Sequence, residues 1–140
     1  MKTFREFLNE KVIKLGASST EKSRAFMDDL HATSQPHPTS RHHRVIGGAS
    51  VEMSPRGNDV HLHDVLSHQP HTGAGTAALH HVQRLADKHG VRITATAKAY
   101  SKDKEHVRDT DHLKKWYRKH GFAVERGTKK DGYDIRYDPK

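Results

Sequence analysis

Residues 68–82 read HQPHTGAGTAALHHV. Gly73 and Gly75 sit two apart, behind an apolar stretch and ahead of a helix-like one. From Thr76 to His89, Ala78, Leu79, Val82, Leu85 and Ala86 fall on one helical stripe, and Gly90 is placed as a C-cap. Upstream, Val60–Leu66 has the alternation of a strand. A glycine turn that feeds a helix N-terminus can seat an anion, because bare backbone N–H groups point outward and the helix dipole favours negative charge. A tight strand-to-helix turn with no ligand has the same local sequence.

Two common phosphate loops fail on spacing. A Walker A loop needs Lys after its last glycine, and Gly75 is followed by Thr76. A dinucleotide fingerprint on Gly73, Gly75 and Ala78 needs an acidic residue about 20 positions on, and His89–Lys102 contains none. The strand before the turn also arrives from a hairpin rather than a parallel crossover.

The 140 residues suit one domain with a modest core, since 32% are apolar and 6% aromatic. No apolar run reaches membrane-spanning length, and Met1–Glu10 lacks the apolar region of a secretory signal. Without cysteine there is no disulfide, thiolate nucleophile or thiolate zinc site. The formal charge is +8, and Lys98–Lys130 holds eleven Lys/Arg against five Asp/Glu. Such a surface attracts nucleic acid, anionic lipid or a phosphorylated cofactor, and equally serves solubility. Among fourteen histidines, His61 and His63 form an H-x-H pair, while His42/His43 and His80/His81 are adjacent. Nothing completes a zinc ligand set around them, so no metal is expected.

Along the chain, Met1–Glu10 reads as an amphipathic helix and Lys11–Leu15 as a short strand. Ser18 and Glu21 have the spacing of a capping box for a helix to about His31 that buries Ala25, Phe26 and Leu30. Thr33–Arg41 is a loop by its Pro and Ser content. Val45–Met53 and Val60–Leu66 are strands joined by the SPRGND turn. Val91–Ala97 is a half-buried strand, and Tyr100–Thr110 a charged loop. Asp111–His120 is a helix with Leu113, Trp116 and Tyr117 inward. Phe122–Arg126 and Tyr133–Tyr137 close as a hairpin. The order predicts an α/β or α+β fold with a mixed sheet.

Val65–Leu79, VLSHQPHTGAGTAAL, resembles the coenzyme A signature of the GNAT superfamily of N-acetyltransferases. Leu113–Val124, LKKWYRKHGFAV, resembles that superfamily's second signature, a Tyr four residues before a Gly-Phe helix-to-strand junction. Together they frame Val45–Tyr137. Pro70 stands where the superfamily usually has Gln or Arg, His71 where it often has Gly, and Thr110 or Asp111 where an Asn is usual. The resemblance implies a mixed, mostly antiparallel sheet flanked by helices, with acetyl-CoA (coenzyme A) as cofactor. It implies a diphosphate held by backbone donors from Thr72 through Gly73, Ala74 and Gly75 to Thr76, and a carbonyl oxygen polarised near Val65 or Leu66. It makes Tyr117 the acid for the leaving thiolate and places Arg118 toward the 3′-phosphate. His61 and His63, on the face of their strand that also carries Asp59 and Val65, are candidates to take the proton of the acceptor amine. An exposed pair of sheet histidines and a core tyrosine are the competing readings of those three residues.

MKTFREFLNE, residues 1–10, resembles the capsid-targeting peptide of internal head proteins in large tailed phages, which is cut after Leu/Ile-x-Glu; Leu8-Asn9-Glu10 matches. The division expected is thus a propeptide over 1–10 and an acetyltransferase domain over 11–140. The piece removed has two positive and two negative charges, so the remainder stays at +8. Three functions compete. One is an active N-acetyltransferase acting on an unknown amine, packaged in the capsid interior and delivered to the host cytoplasm, or simply cytoplasmic. Another is an inactive module on the same fold that inhibits a host protein. The third is a basic head protein with non-specific DNA contacts. No membrane partner is expected.

Overall fold

The computed structural model describes residues 20–69, 72–98, 110–128 and 131–140. The helix expected over Met1–Glu10, the strand over Lys11–Leu15, Ser18, Pro70, His71 and nearly all of the Tyr100–Thr110 loop lie outside the described residues.

Helix α1 (Glu21–Ala32) starts at Thr20, not Ser18, and its box partner is Ser23 rather than Glu21: the Thr20 N–H donates to Ser23 Oγ at 2.9 Å. Glu21 becomes the first helical residue, where its charge complements the helix N-terminus. Phe26 and Leu30 are fully buried as expected, Ala25 only half-buried, and Ser23 takes an inward position because its hydroxyl donates to Gly57 O at 2.9 Å.

Seven strands form one sheet in the order β1-β2-β3-β4-β5-β7-β6. They are β1 (Gln35–Pro36), β2 (His43–Ile46), β3 (Ala49–Arg56), β4 (Asp59–Ser67), β5 (Ile93–Ala97), β6 (Ala123–Thr128) and β7 (Gly132–Tyr137). Only β4 and β5 pair in parallel; every other neighbouring pair is antiparallel, as the expected fold class requires. The strand predicted over Val45–Met53 is two strands, because Gly47 (φ 60°) turns the chain between β2 and β3. The loop predicted over Thr33–Arg41 contains β1. Pro55 is tolerated within β3 because β2 pairs only as far as Glu52, which leaves that end of β3 an edge on one side.

Helix α2 (Ala74–His89) crosses from β4 to β5 and ends at Gly90, whose left-handed conformation (φ 65°) makes it the C-cap. Helix α3 (Thr110–Lys119) leads into β6. Val60 and Leu62 of β4, Ile93 and Ala95 of β5, and Ile135 and Tyr137 of β7 line one face of the sheet and are buried. Against that face α2 sets Ala78, Leu79, Val82, Leu85 and Ala86, the stripe read from the sequence. Helix α3 adds Tyr117, with Leu113 and Trp116 partly buried beside it.

Replacing fully buried Leu79 by Ala should cost about 2–5 kcal/mol of stability in urea unfolding. Leu66, a half-exposed strand residue, should lose under about 1 kcal/mol when changed to Ala.

Candidate functional site: the β4–β5 opening and the start of α2

Pairing between β4 and β5 covers Val60↔Ile93, His61↔Thr94 and Leu62↔Ala95, then stops. Beyond that rung β4 runs on to Ser67 paired with β3 alone, and β5 runs to Ala97 paired with β7 alone. The two central strands therefore open a gap, and the edge of β4 that faces β5 has no strand among the described residues to satisfy it.

The opening begins at a bulge. Met53 pairs with Leu62 and Glu52 with Asp64, so His63 is one residue more than β3 can match. The bulge shifts the phase of β4. Val65 pairs with buried Val51 and packs against the core, on the opposite face from His61 and His63. The expectation that Val65 shares the histidine face is therefore wrong, because strict alternation fails at an inserted residue. Leu66 is the large hydrophobic residue left most exposed among the described residues, at 48%.

The start of α2 abuts this end of β4. A side-chain carbon on Gly75 would lie 3.8 Å from Val65 Cγ1 and 3.9 Å from Ser67 Cβ. Gly73, at φ 79°, is the N-cap in the left-handed region that disfavours side chains. Its carbonyl accepts from Ala77 N–H at 2.9 Å, so the amides of Ala74, Gly75 and Thr76 belong to the first turn and have no acceptor within the helix. Among the described residues no side chain caps them, and the first turn holds no acidic residue. Thr72 is exposed, and its hydroxyl donates to Gln69 O. Gly48, in the β2–β3 turn, supports the loop closely: a Cβ there would come within 2.7 Å of Gln69 Oε1 and 3.1 Å of Ala74 Cβ. These features fit a diphosphate group, since donors converge, negative charge is absent and the helix end is positive.

Helix α3 closes one side. Trp116 Nε1–H donates to Thr76 Oγ1 at 3.4 Å, and Gln83 of α2 donates to His120 O. Tyr117 is buried against Trp116 and Phe122. Burial, aided by the charge of Asp64, pushes its phenol up to about 12. Arg118 is exposed on the same helix.

His61 sits on the last closed rungs of the sheet rather than in the gap. Its Nδ1 is 2.8 Å from Thr94 Oγ1, and its ring meets His63 edge-on at 4.8 Å. Burial, then the charges of Arg56 and His63, push His61 down to about 4. His63 is exposed, with Nε2 2.8 Å from Ser54 Oγ. Sequence reading missed a neighbouring row. His43, Glu52 and Asp64 are register partners across β2, β3 and β4, and their ligand atoms lie within 4.8 Å of one another. His43 Nε2 is 3.1 Å from Asp64 Oδ1, and Nδ1 is 2.8 Å from Ser40 Oγ. The row needs the turn at Gly47 and the bulge at His63 before it lines up.

The sequence matches no protein-family model and no curated protein. By structure, the chain is similar to the anti-CRISPR protein AcrVA5, with a TM-score of 0.54 and 20% identity over 66% of this chain and 93% of that one. It is also similar to the PaiA N-acetyltransferase of Thermoplasma acidophilum in complex with coenzyme A, with a TM-score of 0.50 and 16% identity. That match covers 64% of this chain and 52% of the other, so the chain corresponds to about half of that protein's length. The chain shares its fold with both, and its mixed, mostly antiparallel sheet flanked by helices is the fold class expected from the sequence.

A depressed histidine has a signature in stability. Unfolded His61 takes up its proton near 6.5 and the folded form only near 4, so its contribution is full above 6.5 and is lost as pH falls through that window. His81 and His120, also depressed by burial, act in the same direction. The melting temperature should fall less steeply between pH 6.5 and 4 in His61→Gln than in the parent protein, as calorimetric scans in matched buffers will read.

Proposed function

We propose that this protein is an acetyl-CoA-dependent N-acetyltransferase. One observation carries the reading: among the described residues, the unpaired edge of β4 lies against a helix N-terminus that has no side-chain cap and no acidic residue in its first turn. A narrow slot ending at an anion site suits a ligand with a slim polar arm and a diphosphate. The fold it shares with a protein crystallised with coenzyme A supports the same choice.

The amides of Ala74, Gly75 and Thr76 would hold the diphosphate, with Thr72 and Gly73 shaping the loop around it. The β4 edge would hold the arm through backbone hydrogen bonds, and the N–H near Val65 or Leu66 would polarise the carbonyl. Bound acetyl-CoA supplies an acyl group on a thioester. Arg118 is free to meet the 3′-phosphate. Tyr117, protonated at neutral pH, is the proton donor to the leaving sulfur. A phenol near 12 is a weak acid for a thiolate in water. The same burial makes a thiolate in the gap more basic, which narrows the mismatch.

Calorimetry with acetyl-CoA should show binding in the parent protein. Gly75→Glu should weaken it more than tenfold: the new Cβ makes only ordinary contacts, so the fold survives while the carboxylate occupies the anion site. Tyr117→Phe should bind acetyl-CoA normally yet release thiol about 10²-fold more slowly. The absence of binding at millimolar acetyl-CoA would sink the reading.

The cellular setting follows from the first ten residues, whose resemblance to a phage capsid-targeting peptide makes the chain an internal head protein delivered to the host. The likeness in fold to a protein named as an anti-CRISPR is compatible with work inside a host cell. The net charge of +8 suits storage against packaged DNA. Mass spectrometry of the protein from purified particles should find Lys11 as its first residue; an intact Met1–Glu10 there would refute maturation.

A further inference from the structure

We infer that the acceptor is a primary amine that arrives as its ammonium ion, is held by Glu52 and Asp64, and gives its proton to His43; this rests on the acetyl-transfer reading above. Three acceptor atoms converge here within 4.8 Å: the Nε2 of His43 and one oxygen each of Glu52 and Asp64. In the tautomer whose Nδ1–H donates to Ser40 Oγ, 2.8 Å away, the Nε2 lone pair faces the carboxylates; in the other, Nε2–H donates to Asp64 Oδ1 at 3.1 Å, a bond that the ammonium replaces. Three acceptors in one place repel unless hydrogen-bond donors lie among them. A primary ammonium has three N–H donors, which matches the set; a hydroxyl offers one.

Position supports the same occupant. Asp64 is the second residue beyond Leu62, the last β4 residue paired to β5, and it precedes Val65, which borders Gly75. A nitrogen held at Asp64 therefore lies beside the opening that would receive the thioester. The Tyr117 phenol also feels the negative charge of Asp64. Solvent reaches His43 through a cavity of about 230 Å³ walled by Pro36, His37, Ser40, Arg41 and Arg44. The charged or titratable groups around the ring are His37 at 5.7 Å, Glu52, Asp64 and the two cavity arginines, of which Arg44 is tied to Ser34 and the His31 carbonyl. His61, by contrast, has its Nδ1 bound to Thr94 Oγ1, on the rungs where β4 and β5 are still paired.

The proton count closes. Nε2 of His43 takes one proton from the ammonium, and the freed lone pair forms the N–C bond as the C–S bond breaks. Tyr117 O–H protonates the sulfur and is restored by the second amine proton. The imidazolium then returns its proton to solvent, so amide, thiol and one proton are released.

The test uses spermidine and n-butylamine as cationic amines, p-anisidine as an uncharged aromatic one, and Zn²⁺ as a rival for the three acceptors. Thiol release should occur with the cationic amines and not with p-anisidine. His43→Gln and Asp64→Asn should each lower kcat/KM by about 10²-fold and flatten the acid limb of its pH profile, with acetyl-CoA affinity within about twofold of the parent. Without cofactor, n-butylamine should shift the His43 ring resonance in NMR spectra of the parent but not of Asp64→Asn. Equal use of p-anisidine, no transfer to either cationic amine despite bound acetyl-CoA, an unimpaired His43→Gln, or tight Zn²⁺ binding that blocks n-butylamine would each overturn the assignment while leaving the transfer reading intact. Failure of the parent to bind acetyl-CoA would remove both.

Discussion

His63 is one residue too many for β3, and the architecture around the opening depends on that surplus. A bulge bends its strand and increases local twist. β4 is held on both sides as far as Leu62: β3 on one edge and β5 on the other. At His63 it can follow only one of them. It keeps β3, through Asp64↔Glu52 and Val65↔Val51, and leaves β5. The same inserted residue does two further things. It turns Val65 inward, under the start of α2, and it sets Asp64 opposite Glu52 on the other face. The same sheet without the bulge would not set Asp64 opposite Glu52 in a row with His43.

An opening between two central strands has a cost, because buried backbone groups that lack partners lose free energy. The surrounding contacts show how it is kept from collapsing. α2 is tied to α1 by Lys88 and His89 on Asp29, both at 2.8 Å. Its far side is tied to β7 by the Tyr137 hydroxyl on Asp87 at 2.8 Å, and to the end of α3 by Gln83 on His120 O. Trp116 spans from α3 to Thr76 in the first turn of α2. These tethers fix the helices independently of the open strands, so β4 and β5 are held apart by what packs over them. The glycine loop is braced in turn by the β2–β3 turn: Gly48 O accepts from His68 N–H at 2.8 Å, and the bare Cα of Gly48 leaves room for Gln69 and Ala74.

What was legible in the sequence was local. The stripe Ala78–Ala86, the C-cap at Gly90, the β6–β7 hairpin and the inward Tyr117 each follow from residues within a turn or two of one another, and each is present. The first helix was legible in its buried face but not in its cap, since Ser18 and Thr20 offer the same chemistry two residues apart. Register was not legible. The Gly47-Gly48 pair was a visible turn signal inside an alternating run, but the alternation of Val45–Met53 hid it. The bulge left no mark at all, because an H-x-H-D segment alternates equally well with or without an extra residue. Since the His43 row and the true face of Val65 both depend on register, the glycine turn at the start of α2 could be placed from sequence while the His43 row could not.

The two ends also differ in polarity. At the α2 terminus, unpaired amides and the helix dipole present positive potential with no acid in the first turn. Across β4, Glu52 and Asp64 present negative charge within a chain whose net charge is +8. An anionic ligand is drawn to one end and repelled from the other, and a cationic one the reverse. Between the two ends lies the unpaired stretch of β4. Opposite fields on either side of one strand meet at the same short segment, and that segment is where the bulge released the backbone from β5.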